Sequence, residues 1–429
     1  MDVTPPPDFT VRSVHLMSAS GDFSDASDLQ VRSGRIAAIG PDLPVEPDVL
    51  DVDLTDLWLM PGVVDTHLHA VTHSFDGWEQ LRTPLSYRIA ETLAALRKTL
   101  HAGVTTVRDA GGLDAGVRDA IAAHLAEGPE LQVSVVPLSQ TGGHGDGFLA
   151  GIGLELPTDG MLPDYPGRPP HLADGVDEVR RAVRSILRSG ADWIKIMGTS
   201  GVMSAAGGDF PAEFTPEEIG TAVAEATRRG KPVMVHALGG SAIATAVRAG
   251  ARSIEHGIWL TESDAHLMAT SGTTLVPTLG IYTHLAELAR MPGALPPATA
   301  ARAAAAGQAL GAAVRIAQAA GVPIALGTDF AHRDHHGHNL SEITHLVRAG
   351  LTGAQALVAA TATGADLCGL GGVSGRLLVG QRFDAIVLDE DPSDATIFLR
   401  PESVGAVFAG GRPVRPHARW STAIDRCRG

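Results

Sequence analysis

Gly62-Val63-Val64-Asp65-Thr66-His67-Leu68-His69 places two histidines two residues apart at the end of a short apolar run. Alternate side chains of a β-strand share one face, so a strand here points both imidazoles the same way. Two neutral imidazoles converging on one point suit zinc or another divalent transition metal. With 18 histidines in 429 residues, one His-x-His decides little until the sequence around it is taken into account.

Downstream, a helical stretch repeatedly ends at a glycine and a β-rich run follows within one or two residues. This happens at Gly103 before Val104-Thr105-Thr106-Val107, at Gly190 before Asp192-Trp193-Ile194, and at Gly230 before Pro232-Val233-Met234-Val235. It recurs at Gly250 before Arg252-Ser253-Ile254, at Gly272 before Thr273-Thr274-Leu275-Val276, and at Gly321 before Val322-Pro323-Ile324-Ala325-Leu326. Glycine just past a helix takes the left-handed cap conformation without steric penalty, so each case marks a helix end. Helix starts are marked by capping boxes at Thr215-Pro216-Glu217-Glu218 and at Thr352 with Gln355. Val176, Val179, Val183, Ile186 and Leu187 supply one apolar helical face.

With the His67 run and residues 131–136, the count reaches eight strands alternating with helices, which predicts an α/β fold of the (β/α)8 TIM-barrel type. Such barrels keep their chemistry at the C-terminal ends of the strands. There the chain reaches Asp109, Lys195, His236, His256, Thr278 and Asp329 in turn.

The two ends of the chain have a different texture. Phe9–Met17 and residues 29–31, 35–39 and 49–54 predict short strands separated by turns, and so do Ala385–Leu388 and residues 404–408. They predict one small β-sandwich domain built from 1–58 and 373–429 around a barrel over 59–372. A chain of 44.4 kDa exceeds the usual single-domain size, which agrees with that division. Lys and Arg total 33 against 48 Asp and Glu, a net charge of −15, and no basic cluster interrupts the sequence; nucleic acid and anionic membrane are therefore not expected as partners. Two cysteines, Cys368 and Cys427, make no disulfide framework and fit a reducing cytoplasm. The N-terminus lacks a signal-peptide layout, and no apolar run approaches the ~20 residues of a membrane span.

Four imidazoles and Asp329 on one rim can hold two divalent cations roughly 3.5–4 Å apart, the spacing at which a shared water becomes a strong nucleophile near neutral pH. Lys195 is the odd member, because metals repel a protonated amine. Its pKa is depressed, or it pairs with Asp109, or it is converted covalently to an anionic group able to bridge the metals.

Pro61 to His69, Trp193-Ile194-Lys195-Ile196, Val235-His236-Ala237, Ser253-Ile254-Glu255-His256-Gly257 and Leu326-Gly327-Thr328-Asp329 resemble the five signature segments of the amidohydrolase superfamily. Within it the chain is similar to the branch of imidazolonepropionase-like enzymes, prolidase-like dipeptidases and ochratoxinase, from about residue 10 to 415. The resemblance implies an N-carboxylated Lys195 bridging two divalent metals, zinc in the first instance. His67, His69 and Asp329 would bind one of them, and His236 and His256 the other. It also implies that Asp329 is the general base for attack of a bridging hydroxide on a polarised carbonyl, with His144 and His256 completing the catalytic set. His236-Ala237-Leu238-Gly239 lacks the Glu of the deaminase members, which favours amide hydrolysis over deamination.

Residues 139–175, rich in Gly and Pro, are long enough to form a lid, and length without regular structure is often functional. Within them Gln140-Thr141-Gly142-Gly143-His144-Gly145 resembles the Gly-Gly-His-Gly loop of the prolidase-like branch, which would put His144 near the substrate carbonyl. Met197 to Gly208 is a second flexible edge. His336-Gly337-His338-Asn339-Leu340-Ser341-Glu342 resembles that branch's His-Gly-x-Asn-x-x-Glu, and the surplus His332, His335, His336 and His338 are expected to be solvated or to contact substrate rather than to hold a third metal. Leu238 stands where the branch often carries an aromatic, leaving Arg333 or Arg82 to anchor a substrate carboxylate. The expected substrate is a small amide or peptide, namely a dipeptide or an N-acyl amino acid. A cyclic amide is the rival, and a non-catalytic assembly protein, which would lose metal ligands, is disfavoured. Barrels of this family often associate, so a homo-oligomer is compatible with the sequence.

Overall fold

The structure, a computed structural model, describes residues 5–47, 49–156, 162–204 and 210–420. Cys427 and the Gly207-Gly208 end of the second loop lie outside them.

Val63–Leu68, Val104–Asp109 and Glu130–Val133 form one parallel sheet. Pro137–Leu138, Ile194–Met197, Val233–Ala237, Ser253–His256 and Thr274–Val276 form another. All six glycines that mark helix ends in the sequence have positive φ, from 66° at Gly230 to 106° at Gly103. Both capping boxes are formed, each with its Thr hydroxyl accepting from the third backbone N–H and the Glu or Gln reaching back.

Two of the expected strands are interrupted. The run 131–136 breaks at Val135, whose φ of 65° no regular strand accommodates, and it continues as Pro137–Leu138. The Asp192 amide crosses to the Val133 carbonyl at 2.7 Å beside this break. The run 322–326 is no regular strand; it touches its neighbours through isolated parallel bridges, Leu275 with Ile324 and Leu68 with Phe330. Pro323 has no N–H to give to a ladder, and Asp329 turns into the left-handed region at φ 54°. The Thr66 amide still donates to Leu326 O at 3.0 Å and the Asp329 amide to His67 O at 2.7 Å, which holds this run against the His67 strand.

The chain ends meet in a mixed sheet of eight strands, ordered Arg412–Arg415, Val404–Ala409, Ala385–Leu388, Trp58–Pro61, Phe9–Met17, Phe23–Arg32 and Arg35–Gly40, with Leu50–Asp53 also paired to Phe9–Met17. Phe9, Phe383, Phe408 and Trp420 pack ring against ring beneath it, with centroids 4.6 to 5.5 Å apart. Val179, Val183 and Ile186 of helix Val176–Arg188 are buried, as the apolar periodicity predicts.

The polar face of that helix corrects the expectation that basic residues do not cluster. Arg180, Arg184 and Arg228 converge on the Glu225 carboxylate, and Arg181, Arg188 and Arg229 line the same two adjoining surface grooves. Two stretches far apart in sequence thus build a basic patch on an acidic protein. Among the described residues no helix is long and apolar enough to cross a membrane.

Candidate metal centre

His67, His69, Lys195, His236, His256 and Asp329 line one cavity at the C-terminal ends of the parallel strands. Ring centroids are 5.5 Å apart for His67 and His69, 5.1 Å for His67 and His256, and 4.5 Å for His236 and His256. Asp329 Oδ1 lies 3.4 Å from His67 Nε2 and 3.3 Å from His69 Nε2. Lys195 Nζ is 3.4 Å from His67 Nε2. One donor atom each from His67, His256 and Asp329 lie within 4.8 Å of one another, close enough to share an ion.

Three of the imidazoles are fixed through one nitrogen, which leaves the other for the cavity. His67 Nδ1 lies 2.5 Å from Glu255 Oε2, His69 Nδ1 3.0 Å from the Gly111 carbonyl, and His256 Nδ1 2.7 Å from the Thr278 hydroxyl. This is how metal-binding histidines are commonly oriented. His236 differs, with Nε2 3.4 Å from the Ser200 carbonyl. The backbone is strained at the same place: His256, Thr278 and Asp329 have φ of 73°, 49° and 54°. Side-chain-bearing residues in that region cost free energy and tend to occur where function demands a direction. Gly327, just before Asp329, has no room for a side chain; a Cβ would sit 2.4 Å from Val276 Cγ1 and 2.8 Å from His67 Cβ.

Burial pushes His67, His236 and His256 well below the usual imidazole pKa, which keeps them neutral as ligands must be. Burial also lowers Lys195, to about 8, against the opposing pull of Glu255 and Asp329. Pairing of Lys195 with Asp109 does not occur. The Asp109 carboxylate accepts instead from the amides of Ala70, Gly111 and Leu113 at 2.9, 3.0 and 3.3 Å, and its role is to shape the turn after the His69 strand.

Beneath the centre lies a layer of polar residues whose roles the sequence does not announce. Glu255, buried, takes Arg108 Nη2 at 3.0 and 3.1 Å while holding His67, and Arg108 also donates to the Thr66 carbonyl and to Ser253. Asp65 accepts from the Thr328 amide and hydroxyl at 3.1 and 2.7 Å and from Asn339 Nδ2 at 2.8 Å, which ties the Asp329 run to the His67 strand. Glu342 accepts from the Leu279 and Gly280 amides at 2.6 and 2.8 Å and so caps helix Leu279–Leu288. Asn339 and Glu342, from the His-Gly-x-Asn-x-x-Glu segment, therefore act on the architecture of the site.

His144 also lines the cavity, its ring 4.7 Å from that of His236. Ser204 Oγ fixes its Nδ1 at 2.7 Å, and its backbone N–H donates to Glu213 Oε1 at 2.6 Å. Gly143 lets the loop come this close to Glu213, since a Cβ there would be 2.4 Å from Oε2. Burial raises the Glu213 carboxyl to about 7. His332, His335, His336 and His338 do not line the cavity. His332 stacks on Phe75 at 5.7 Å, and His336 is buried 5.9 Å from His73. Neither arginine suggested for a substrate carboxylate lines the cavity. Arg333 is held by Glu79 and Glu91 at 2.8 and 3.0 Å, and Arg82 is exposed.

An α/β chain with histidine and carboxylate donors gathered at its strand ends has the make-up of a metal-dependent hydrolase. The model of the amidohydrolase family matches residues 58–414, and the chain belongs to that family. Ochratoxinase from Aspergillus niger is 35% identical over 365 residues, covering 82% of this chain and 75% of its own. Imidazolonepropionase from Pseudomonas putida is 28% identical and covers 89% of this chain and 92% of its own. The crystal structure of a prolidase complexed with N-methylphosphonate-L-proline superposes with a TM-score of 0.87 at 31% identity, over 96% of this chain and all of that one. The chain is a hydrolase acting on C–N bonds, of a family that is generally metal-dependent.

Proposed function

We propose that the chain is a binuclear amidohydrolase that cleaves the amide bond of a dipeptide or an N-acyl amino acid. We place the site on a (β/α)8 barrel over 59–372, beside a small β-domain formed by 1–58 and 373–429. The observation that carries this reading is the convergence of His67, His256 and Asp329 donors within 4.8 Å, with the outer nitrogens of His67, His69 and His256 each held by a fixed partner. His67, His69 and Asp329 would hold one divalent ion and His236 and His256 the other. Zinc suits such imidazole and carboxylate donors.

Lys195, if N-carboxylated, would be the ligand that the two ions share. Its amine is buried against an imidazole nitrogen and makes no salt bridge among the described residues, a setting that favours the neutral amine, the form that would add carbon dioxide and release a proton to give the carbamate. Two such ions supply Lewis acidity toward a substrate carbonyl and toward water. Asp329, beside both His67 and His69, takes the proton of the attacking water and gives it to the leaving amine. His144, with Nδ1 occupied by Ser204, presents Nε2 to the carbonyl oxygen, and the Glu213 contact keeps its loop in place. The ochratoxinase, prolidase and Xaa-Pro dipeptidase relatives carry names of enzymes that open amide bonds, which supports an amide over a deaminase substrate. A cyclic amide is the second reading, favoured by one fact: among the described residues, no Lys or Arg apart from Lys195 lines the cavity.

The test is amine release by the zinc-loaded protein from dipeptides and N-acyl amino acids, each paired with its carboxamide twin. Turnover of the free acids is expected. Turnover of cyclic amides alone would move the assignment to the second reading.

A further inference from the structure

The cavity has two unlike halves. The bridges Leu275 with Ile324 and Leu68 with Phe330 set the Asp329 run between the Thr274–Val276 and Val63–Leu68 strands. Residues following those two strands therefore flank Asp329, Thr72 on one side and Tyr282 on the other, and both line the cavity. His144 and Val202 line it from beyond the strands Pro137–Leu138 and Ile194–Met197, on the side of His236.

Thr72 and Tyr282 are largely buried residues that line the cavity; among the described residues neither hydroxyl makes a hydrogen bond, and neither oxygen is among the buried atoms left without a partner, so both are open to the cavity. A hydroxyl open to a binding cavity and free of protein partners can donate to a ligand there. Tyr282 is held in place. Its ring meets that of His256 edge-on at 5.4 Å, and Glu342 caps the helix that carries it. The surroundings are apolar, with Phe75, Ile281, Leu285 and Ala331 lining the same side.

We propose that the hydroxyls of Tyr282 and Thr72 form a subsite for the carboxylate of the leaving amino acid, whose apolar side chain packs among Phe75, Ile281 and Leu285. This rests on the reading above that Asp329 protonates the leaving amine. The carboxylate stands one carbon from that amine, and so falls beside Asp329, where the two hydroxyls are. Neutral donors bind a carboxylate more tightly than a carboxamide, because hydrogen bonds to charged groups are the stronger ones.

The experiment compares wild type, Tyr282→Phe and Thr72→Val on N-acetyl-L-leucine and N-acetyl-L-leucinamide, with calorimetric Kd values for L-leucine and L-leucinamide. Each variant should lose roughly ten- to hundredfold in kcat/KM on the free acid, mostly in KM, and less than about threefold on the amide. L-Leucine binding should weaken by the same factor and L-leucinamide binding should not change. Equal losses on acid and amide, or no loss, would overturn the subsite. If wild type hydrolyses neither compound but binds L-leucine in a Tyr282- and Thr72-dependent way, the subsite stands and the hydrolytic reading falls. If both variants keep wild-type selectivity and turnover, the reverse holds.

Discussion

Glu255→Gln removes one negative charge from beneath the metal centre with little change in volume. The wild-type carboxylate serves His67 Nδ1 at 2.5 Å and Arg108 Nη2 at 3.0 and 3.1 Å, and both Glu255 and Arg108 are fully buried. Oε2 serves both His67 and Arg108 and Oε1 serves Arg108 and Ser253, so an amide oxygen placed at Oε2 keeps His67 but turns an N–H toward Arg108 and Ser253, and the flipped amide turns it toward His67. Leaving a buried guanidinium without its counter-ion costs about 3–5 kcal/mol. Loosening the partner of a metal-binding imidazole costs about 10- to 100-fold in metal affinity. The two effects separate in the double variant Arg108→Met with Glu255→Gln. Removing both charges should restore most of the stability, while His67 keeps its weakened partner. Urea unfolding of the metal-stripped proteins measures the first effect and zinc competition titration the second. A single variant within about 1 kcal/mol of wild type, or a double variant no more stable than the single, would refute the buried pair as the cause.

Asp329→Asn should keep the fold and lose turnover by several orders of magnitude, because base and ligand oxygen change together; near-normal kcat would remove Asp329 from the mechanism. Gly143→Ala should cut kcat/KM at least about tenfold without lowering the thermal midpoint by more than a few degrees, since the added Cβ meets Glu213 Oε2 at 2.4 Å and displaces the His144 loop. Burial raises the folded-state pKa of Glu213 from the usual 4.5 to about 7, so the folded protein holds an extra proton between those values and stability falls as pH rises through them. Glu213→Gln cannot ionise and should flatten that part of the profile, by on the order of 3 kcal/mol at most. An unchanged slope in denaturation midpoints from pH 4.5 to 7 would show that Glu213 does not carry it.

The positions that line the cavity were legible because the helix-ending glycines set a register. Once Gly190, Gly230 and Gly250 are fixed as caps, Lys195, His236 and His256 fall a few residues later at strand ends. Where the register is locally broken, periodicity misleads. Val135 and Pro323 interrupt runs whose composition still looks like strand, because apolar content does not report φ or a missing N–H. The polar layer under the site was harder to anticipate. Arg108 and Glu255 stand in apolar strands, where an unpaired charge would be costly, so each announces a partner without saying which. Their pairing joins strands far apart in sequence that belong to two different parallel sheets. The basic patch around Glu225 escaped notice for the same reason, since Arg180 and Arg228 become neighbours only when their helices pack. Tyr282 carries no sequence signal at all. It lines the cavity with Asp329, and among the described residues its hydroxyl makes no hydrogen bond.

The most direct test of a two-metal amide hydrolase is amine release from an N-acyl amino acid, followed while zinc is returned stepwise to metal-stripped protein. Activity should be absent without metal and reach its maximum at two equivalents per chain. Full activity in the stripped protein, or a maximum at one equivalent, would contradict it.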